Sequence, residues 1–302
     1  MSLDFSAPAH ASAGPASLDI VGGRRAFIKA LGLGVAGTAV MGTVGSTQAS
    51  AQALTDTDIL NFALNLEYLG SEFYLRASTG SGLSDAEVSG SVGTLGPVSG
   101  GRQVPFETRY LANFANELAV DERAHLNTLR GSLGSAAIAR PQIDLGAAFT
   151  FAARGAGLIG PNDTFDAFAN ENNFLLSAFI FEDVCVTALT GAAPLLQSKE
   201  ILSVAAGFLG VEAYQAGAIR TFLTSRGFFQ QAGLISAARG KLDGVGSDDQ
   251  GISDGATVNI SPTDVDGLAF ARTPQEVLRI AYLNPQGTPN GFFPMGVNGT
   301  IR

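Results

Sequence analysis

The sequence predicts an all-α protein whose main part is a four-helix bundle with a long crossover connection. Four long segments carry apolar residues at alternating spacings of three and four, which places those residues on one face of each helix. The connection between the second and third segments is the long one expected for a crossover between two helix pairs. Hydrophobic residues make up 46% of the 302 residues and charged residues only 15%, so the chain can form a large core.

The first 53 residues are typical of an export signal. Arg24 and Arg25 precede a weakly apolar segment at 31–45, and small residues stand before a cleavage point after Ala53. This order resembles a twin-arginine signal. A membrane anchor is the alternative, but the segment of about 15 residues is shorter than the roughly 20 that a span needs. The pattern predicts a periplasmic or extracellular protein whose mature chain has no stable membrane span.

The first two bundle helices are predicted on either side of a Gly- and Ser-rich link at 78–104, which is interpreted as a surface loop. The first begins at the capping residues 55–58 and ends near Ala77. The second runs from about Pro105 to Arg130. Their predicted buried faces consist of Leu60, Ala63, Glu67, Gly70 and Tyr74 in the first helix, and of Leu111, Ala115, Leu118, Glu122, His125 and Leu129 in the second.

The third and fourth bundle helices follow the crossover at 131–165. They are predicted at about Asp166 to Thr190 and about Ser198 to Arg226. Their predicted buried faces consist of Glu171, Leu175, Ala178, Glu182, Cys185 and Leu189 in the third helix, and of Ile201, Ala205, Phe208, Glu212, Gln215, Ile219 and Phe222 in the fourth.

The bundle at 54–227 is followed by a segment, 228–302, that is predicted to be an irregular extension packed on it. An acidic stretch within 239–267 does not fit the twelve-residue EF-hand loop, which favours a solvated turn over a calcium site. Residues 273–276 form a capping box with Pro at the first helical position, which predicts a short helix to about Leu283. The closing aromatic tail lies either on the bundle or on a neighbouring subunit.

Each predicted buried face has a glutamate near its middle, namely Glu67, Glu122, Glu182 or Glu212. Burying a lone carboxylate costs several kcal/mol. These faces contain no Lys or Arg that would balance four negative charges. Two divalent cations would balance them, so the pattern indicates a metal centre inside the bundle.

The spacing of the other polar residues sharpens this hypothesis. His125 follows Glu122 by three residues, and Gln215 follows Glu212 by three, so each pair lies one helical turn apart. One Glu from each of two helices and a Glu-x-x-His pair from each of the other two is the ligand set of ferritin-like di-metal proteins. The predicted metal ligands are Glu67, Glu122, His125, Glu182, Glu212 and Gln215.

The same residues resemble those of the bacterial ferritin-like family that includes plant desiccation-related proteins. The resembling strings are NFALNLEYL from Asn61, DERAH from Asp121, FEDV from Phe181 and VEAYQ from Val211, with ARTP and GFFP further on. The resemblance implies a ferritin-like bundle, a di-iron or di-manganese centre and a link to oxidative or desiccation stress. Gln215 departs from the family pattern, which has His there. Because an amide oxygen is a weak ligand, the second metal would be held loosely or lost.

Two functions from different classes follow. One is an exported metalloprotein that binds iron or manganese and acts on oxygen or peroxide; the other is a metal-free structural or protective bundle with protonated or mutually bonded glutamates. The net charge of −9 argues against nucleic acid as a partner, and a single cysteine, Cys185, excludes an intramolecular disulfide. Cys185 and Tyr74 are interpreted as core packing residues. Formation of a homo-oligomer is left open.

Overall fold

The computed structural model describes residues 54–245, 248–253 and 256–302. The predicted export signal, 1–53, lies outside the described residues. The described part is mainly helical, as predicted. Its elements are α1 (Asp56–Thr79), α2 (Asp85–Val88), β1 (Val98–Gly100), α3 (Arg109–Leu133), β2 (Ile143–Leu145), α4 (Ala147–Ala156), α5 (Glu171–Ala192), α6 (Lys199–Ser225), α7 (Phe229–Asp243) and α8 (Pro274–Ala281).

The bundle consists of α1, α3, α5 and α6, and α1 packs mainly on α3 while α5 packs mainly on α6. Local capping explains where these helices begin. The Thr55 side chain accepts from the backbone N–H of Asp58 in a capping box. The side chains of Asn170 and Ser198 also accept from backbone N–H groups in the first turns of α5 and α6. At the other end of α1, Gly80 adopts a φ of 82°, a left-handed conformation that glycine takes without strain.

A cluster of aromatic rings forms part of the core where α1 and α5 meet α4 and the C-terminal tail. Phe73 packs edge-on against Phe181 and stacks on Phe174, with ring centroids 5.5 and 5.6 Å apart. Phe292, near the C-terminus, packs against both Phe149 and Phe181. Such pairs add to the stabilisation that burial of the rings provides. The C-terminal tail therefore lies on the bundle of its own chain.

The two long links contain more structure than the predicted loops. β1, from the first link, pairs in parallel with β2, from the crossover, and Val98 lies opposite Ile143. Buried Glu72 of α1 fixes the same region, since it binds Arg140 of the crossover and Arg76 one turn along α1. Strands of three residues are too short to show alternation, so the sequence pattern could not reveal this sheet.

The prediction of an irregular C-terminal extension needs a correction, because α7 is a helix of 15 residues immediately after the bundle. Its buried positions include Ser236, Arg239 and Asp243 besides Ala232 and Ile235. With charged residues on its inner side, α7 lacks the apolar stripe that identifies an amphipathic helix. The predicted short helix is present as α8, with the capping box between Thr273 and Glu276 formed.

The acidic stretch is also not the solvated turn that was predicted. The side chains of Asp248 and Asp249 are 8% and 2% exposed, respectively. Asp249 binds Arg239 and Arg272, and Arg239 in turn binds Asp183 of α5. Asp248 and Asp249, the described acidic residues of this stretch, therefore belong to a buried ion network that joins the C-terminal extension to the bundle.

Two bundle segments, Glu171–Leu195 and Lys199–Ser225, are long and apolar enough to cross a membrane by length and composition. The evidence for a span is weak, since the core helix of a soluble protein meets the same criterion. The apolar window of the first is 72% buried, whereas that of the second is only 17% buried. Leu202, Val204 and Tyr214 are accordingly exposed on α6. Formation of a homo-oligomer stays a prediction.

Candidate metal centre

The four predicted glutamates lie inside the bundle, one from each helix. Glu67 of α1, Glu122 of α3, Glu182 of α5 and Glu212 of α6 are all buried, and none is more than 7% exposed. His125, one turn after Glu122, is 6% exposed. The alternating spacing of three and four therefore predicted the inward face of each helix correctly at these positions.

Four of the predicted ligands come together within the dimensions of a metal site. One ligand atom each of Glu67, Glu122, His125 and Glu212 lies within 4.8 Å of the other three. The Nδ1 atom of His125 is 3.3 Å from Glu212 Oε1 and 3.8 Å from Glu67 Oε2. Atoms at these separations can approach one cation from different sides, and imidazole with carboxylates suits iron or manganese.

All six predicted ligands share one property, a buried atom of a metal-coordinating type that has no hydrogen-bond partner in the described part of the chain. With the carboxylates ionised, each of the six has one side-chain atom that is buried and has no hydrogen-bond partner among the described residues. A proton on Glu182 would let its carboxyl group donate a hydrogen bond to Glu212. Such orphaned atoms are uncommon in proteins, because burying a polar atom without a partner costs about 1–3 kcal/mol. They are the expected state of groups whose partner is a metal ion. The atoms are Glu67 Oε2, Glu122 Oε1, His125 Nδ1, Glu182 Oε2, Glu212 Oε2 and Gln215 Oε1.

Glu182 is oriented by a residue that was interpreted from sequence as simple packing. The hydroxyl of Tyr74, which is fully buried on α1, donates a hydrogen bond to Glu182 Oε1. This bond leaves Oε2 as the unpartnered oxygen. Burial raises the pKa of the Tyr74 phenol well above its ordinary value, and the nearby charge of Glu182 adds to the effect. Tyr74 thus stays a neutral donor that fixes one ligand.

Gln215, the position that departs from the family pattern, is oriented in a comparable way. Its Nε2 donates to Asp121 Oδ2 at 3.3 Å, while Oε1 is buried without a partner. The hydrogen bond to Asp121 therefore fixes the orientation of the Gln215 amide. Gln215 Oε1 points away from the Asp121 carboxylate and is free to coordinate a metal. In the sequence, only the position of Asp121 next to Glu122 pointed to a role at the centre. Residue spacing along α3 does not show that Asp121 bonds a residue of α6.

The four core glutamates are buried close to one another, and their pKa values lie above the ordinary range for that reason. Burial raises the pKa of Glu67 to about 8, and the charge of Glu212 adds to this. Burial likewise raises the pKa of Glu212 to about 7. The pKa values of Glu122 and Glu182 lie well above the ordinary range for the same reason, with Glu212 as the main charged neighbour. Cations or protons must neutralise these carboxyls near neutral pH.

Gly70 of α1 makes room for one ligand, which gives a first test of the centre. A Cβ atom at this position would overlap Glu122 Oε2. Gly70→Ala is therefore expected to displace the Glu122 carboxylate and to weaken metal binding by about 10–100-fold, as loss of outer support does at other metal sites. Titration of the metal-free protein with Mn²⁺, followed by calorimetry, checks this. Gly207→Ala on α6 is the control, because a Cβ there meets no atom within 4 Å.

Comparisons with known proteins agree with the structure. The ferritin-like domain profile matches residues 55–225. The chain is 29% identical over 269 residues to the ferritin-like catalase Nec2 of Nesocodon mauritianus, covering 82% of this chain and 84% of the relative. It is 30% identical over 268 residues to the desiccation-related protein PCC13-62 of Craterostigma plantagineum, covering 81% and 83%. No solved structure shows a significant match. The chain belongs to the ferritin-like domain family.

Proposed function

We propose that this chain is an exported ferritin-like protein that binds two iron or manganese ions through its core carboxylates and disproportionates hydrogen peroxide. The observation that carries the proposal is the set of six buried, unpartnered donor atoms, one on each predicted ligand. The similarity to a protein named as a ferritin-like catalase supports the choice of peroxide as substrate. The similarity to a desiccation-related protein supports a role in protection from oxidative or desiccation stress.

The reaction needs two electrons to pass between two substrate molecules. One hydrogen peroxide is oxidised to dioxygen and releases two protons and two electrons. A second takes up the same protons and electrons, its O–O bond breaks, and two water molecules form. A pair of redox-active metal ions, when bound, would take up and return the two electrons.

The residues of this chain would bind, orient and shield the ions. Glu67, Glu122, His125 and Glu212 supply the compact donor group, and Glu182 and Gln215 add oxygen donors. Tyr74 and Asp121 fix the orientation of Glu182 and Gln215. Phe208 packs on the His125 ring with a centroid distance of 4.2 Å, which helps to exclude bulk water from this side of the centre.

Metal content and oxygen release test the proposal. Protein purified in chelator and reloaded with Mn²⁺ or Fe²⁺ is expected to hold about two ions per chain and to release dioxygen from hydrogen peroxide. Glu122→Gln should lose at least one ion and most of the activity. Glu117→Gln, an exposed position on the same helix, is the control and should keep both.

The metal-free structural protein is the alternative outcome of the same experiment. Fewer than about 0.2 ions per chain after reloading, with no dioxygen released, would contradict the metalloprotein proposal. Under that outcome protons alone would neutralise the four glutamates. Export is tested separately by sequencing the N-terminus of protein recovered from the periplasm, where a start just after Ala53 is expected.

A further inference from the structure

An apolar cavity of about 220 Å³ opens at the surface between α4, α7 and α8. Phe151 of α4, Ile235 and Leu242 of α7, and Ile280 of α8 belong to its walls, and Ile180 of α5 lies on its bundle side. Arg239 and Lys241 also line it. The guanidinium of Arg239 is bound to Asp183 and Asp249, Lys241 is an exposed residue near the end of α7, and the rest of the wall is almost entirely apolar. The cavity therefore suits a molecule without charge.

A smaller pocket of about 30 Å³ adjoins the bundle beneath α8. Its walls include Ile180 and Ile280, which also line the outer cavity, so these two side chains form the junction between the two spaces. The carboxylates of Glu122 and Glu182 lie on its inner side. With room for about one or two water-sized molecules, this pocket connects the junction to two of the predicted metal ligands.

A third pocket, also about 30 Å³, lies next to the second. The two share Leu66 and Cys185, and the third reaches Glu67 and Glu212. Cys185, which the sequence marked only as a small core residue, thus borders both inner pockets. Burial raises the pKa of its thiol well above the ordinary range, so it lines the pockets as a neutral group. The walls of the two smaller pockets together include all four core glutamates.

We propose that these three pockets form the access path by which a small neutral oxidant reaches the candidate metal centre, with Ile180 and Ile280 as its gate. The inference rests on the proposed function for the identity of the oxidant, hydrogen peroxide. An apolar path admits a small uncharged molecule and rejects anions and hydrated cations, because a charge loses far more hydration free energy on burial.

The C-terminal extension is therefore part of the site. Ile280 is placed by α8, whose start is fixed by the Thr273 cap and by buried Arg272 just before it. Arg279, on the same helix, donates to the backbone carbonyl of Asp243 at the end of α7. These bonds hold α8 over the smaller pocket and so keep Ile280 in the wall that the two spaces share.

Xenon binding tests the path without metal or activity. Xenon occupies dry apolar cavities, so crystals of the metal-free full chain under xenon pressure should show xenon in the outer cavity and in the pocket beneath α8. Ile280→Trp is expected to remove the inner site and to keep the outer one. Leu278→Phe, on the same helix but lining none of the three pockets, is the control for strain in α8 and should keep both. Absence of inner xenon from the wild-type protein would overturn the proposal, and this result needs no variant to fold.

Kinetics of the metal-loaded protein supply the second measurement. Ile280→Trp should lower kcat/KM for hydrogen peroxide at least tenfold at unchanged metal content. An unchanged kcat/KM in Ile280→Trp would contradict the path. A wild-type protein that shows inner xenon but neither holds metal nor releases dioxygen would leave the path in place and refute the proposed function instead.

Discussion

Replacing Arg272 by methionine is expected to lower the free energy of unfolding by about 3–5 kcal/mol, one of the two largest effects that the structure predicts. Arg272 is fully buried between α5 and the C-terminal extension. Its Nε lies 2.9 Å from Asp243 Oδ2, Nη1 donates to Thr187 Oγ1 at 2.8 Å, and Nη2 binds Asp249. Methionine keeps most of the volume, but it removes the cation that binds buried Asp243 and leaves Asp249 paired with Arg239 alone.

Urea unfolding followed by circular dichroism measures this effect. Arg102→Met is the matched control, because Arg102 pairs with Asp166 at the surface, where the two side chains are 58% and 44% exposed. An exposed pair of this kind contributes less than about 1 kcal/mol. Adding Asp243→Asn to Arg272→Met should restore part of the loss, since it removes one uncompensated charge. Equal losses in the two single arginine variants would refute the buried network as a source of stability.

The network also explains how the extension is joined to the centre. Asp183, the residue after Glu182, binds both Arg220 of α6 and Arg239 of α7. Both guanidinium groups also lie over the ring of Phe179, at 5.2 and 4.8 Å from its centroid. The segment of α5 that carries a predicted ligand is thereby held from its outer side by the extension. Loss of the extension would then loosen Glu182 as well as uncover the site.

The bundle and its centre could be predicted because their signals are local. The helix cap at Thr55 depends on a few neighbouring residues, and a glutamate that interrupts an apolar face stands out at once. The start of α5 was predicted less well, since the helix begins at Glu171 after an Asn170 cap and not near Asp166. Because the buried faces of the four helices meet inside a bundle, glutamates at matching depth on those faces come together in its core. Family membership confirmed this part of the fold.

The remaining structure depends on pairings between distant residues, which spacing does not reveal. The buried side of α7 is charged, and it is stable only because Arg239 meets Asp183 and Asp249 from elsewhere in the chain. The strand Val98–Gly100 exists only because it pairs with the crossover. Tyr74 and Asp121 likewise bond residues of other helices, so residue spacing within one helix does not reveal their roles at the centre.

The second large effect concerns pH. The metal-free protein is expected to lose on the order of 3–5 kcal/mol of stability between pH 5 and pH 8. Burial raises the pKa of Glu67 from 4.5 to about 8 and that of Glu212 to about 7. The folded state therefore binds more protons than the unfolded state in this range. The favourable contribution of these groups is complete below pH 4.5 and is lost as the pH rises through 7 and 8.

Glu67→Gln isolates this effect, because the amide keeps the size of the carboxyl group and does not titrate. In chelator at pH 8 the variant should be more stable than the wild-type protein, whereas at pH 5 the two should agree within about 1 kcal/mol. Glu117→Gln, exposed on α3, should follow the wild-type curve throughout. A wild-type stability that does not change between pH 5 and 8 would show that the core carboxyls are neutralised by other means.

Manganese should reverse the dependence on pH. A metal ion displaces protons from its ligands, so binding near pH 7 is expected to release protons, which calorimetry in buffers of different ionisation enthalpy measures directly. At about 1,000 times the dissociation constant, Mn²⁺ should add about 4 kcal/mol of stability to the wild-type protein at pH 8 and much less to Glu67→Gln. A bundle kept for structure alone would be better served by glutamine at these positions and would gain nothing from metal. Comparing the wild-type protein with Glu67→Gln at pH 8, with and without Mn²⁺, therefore distinguishes a functional metal centre from a bundle that has lost its metal.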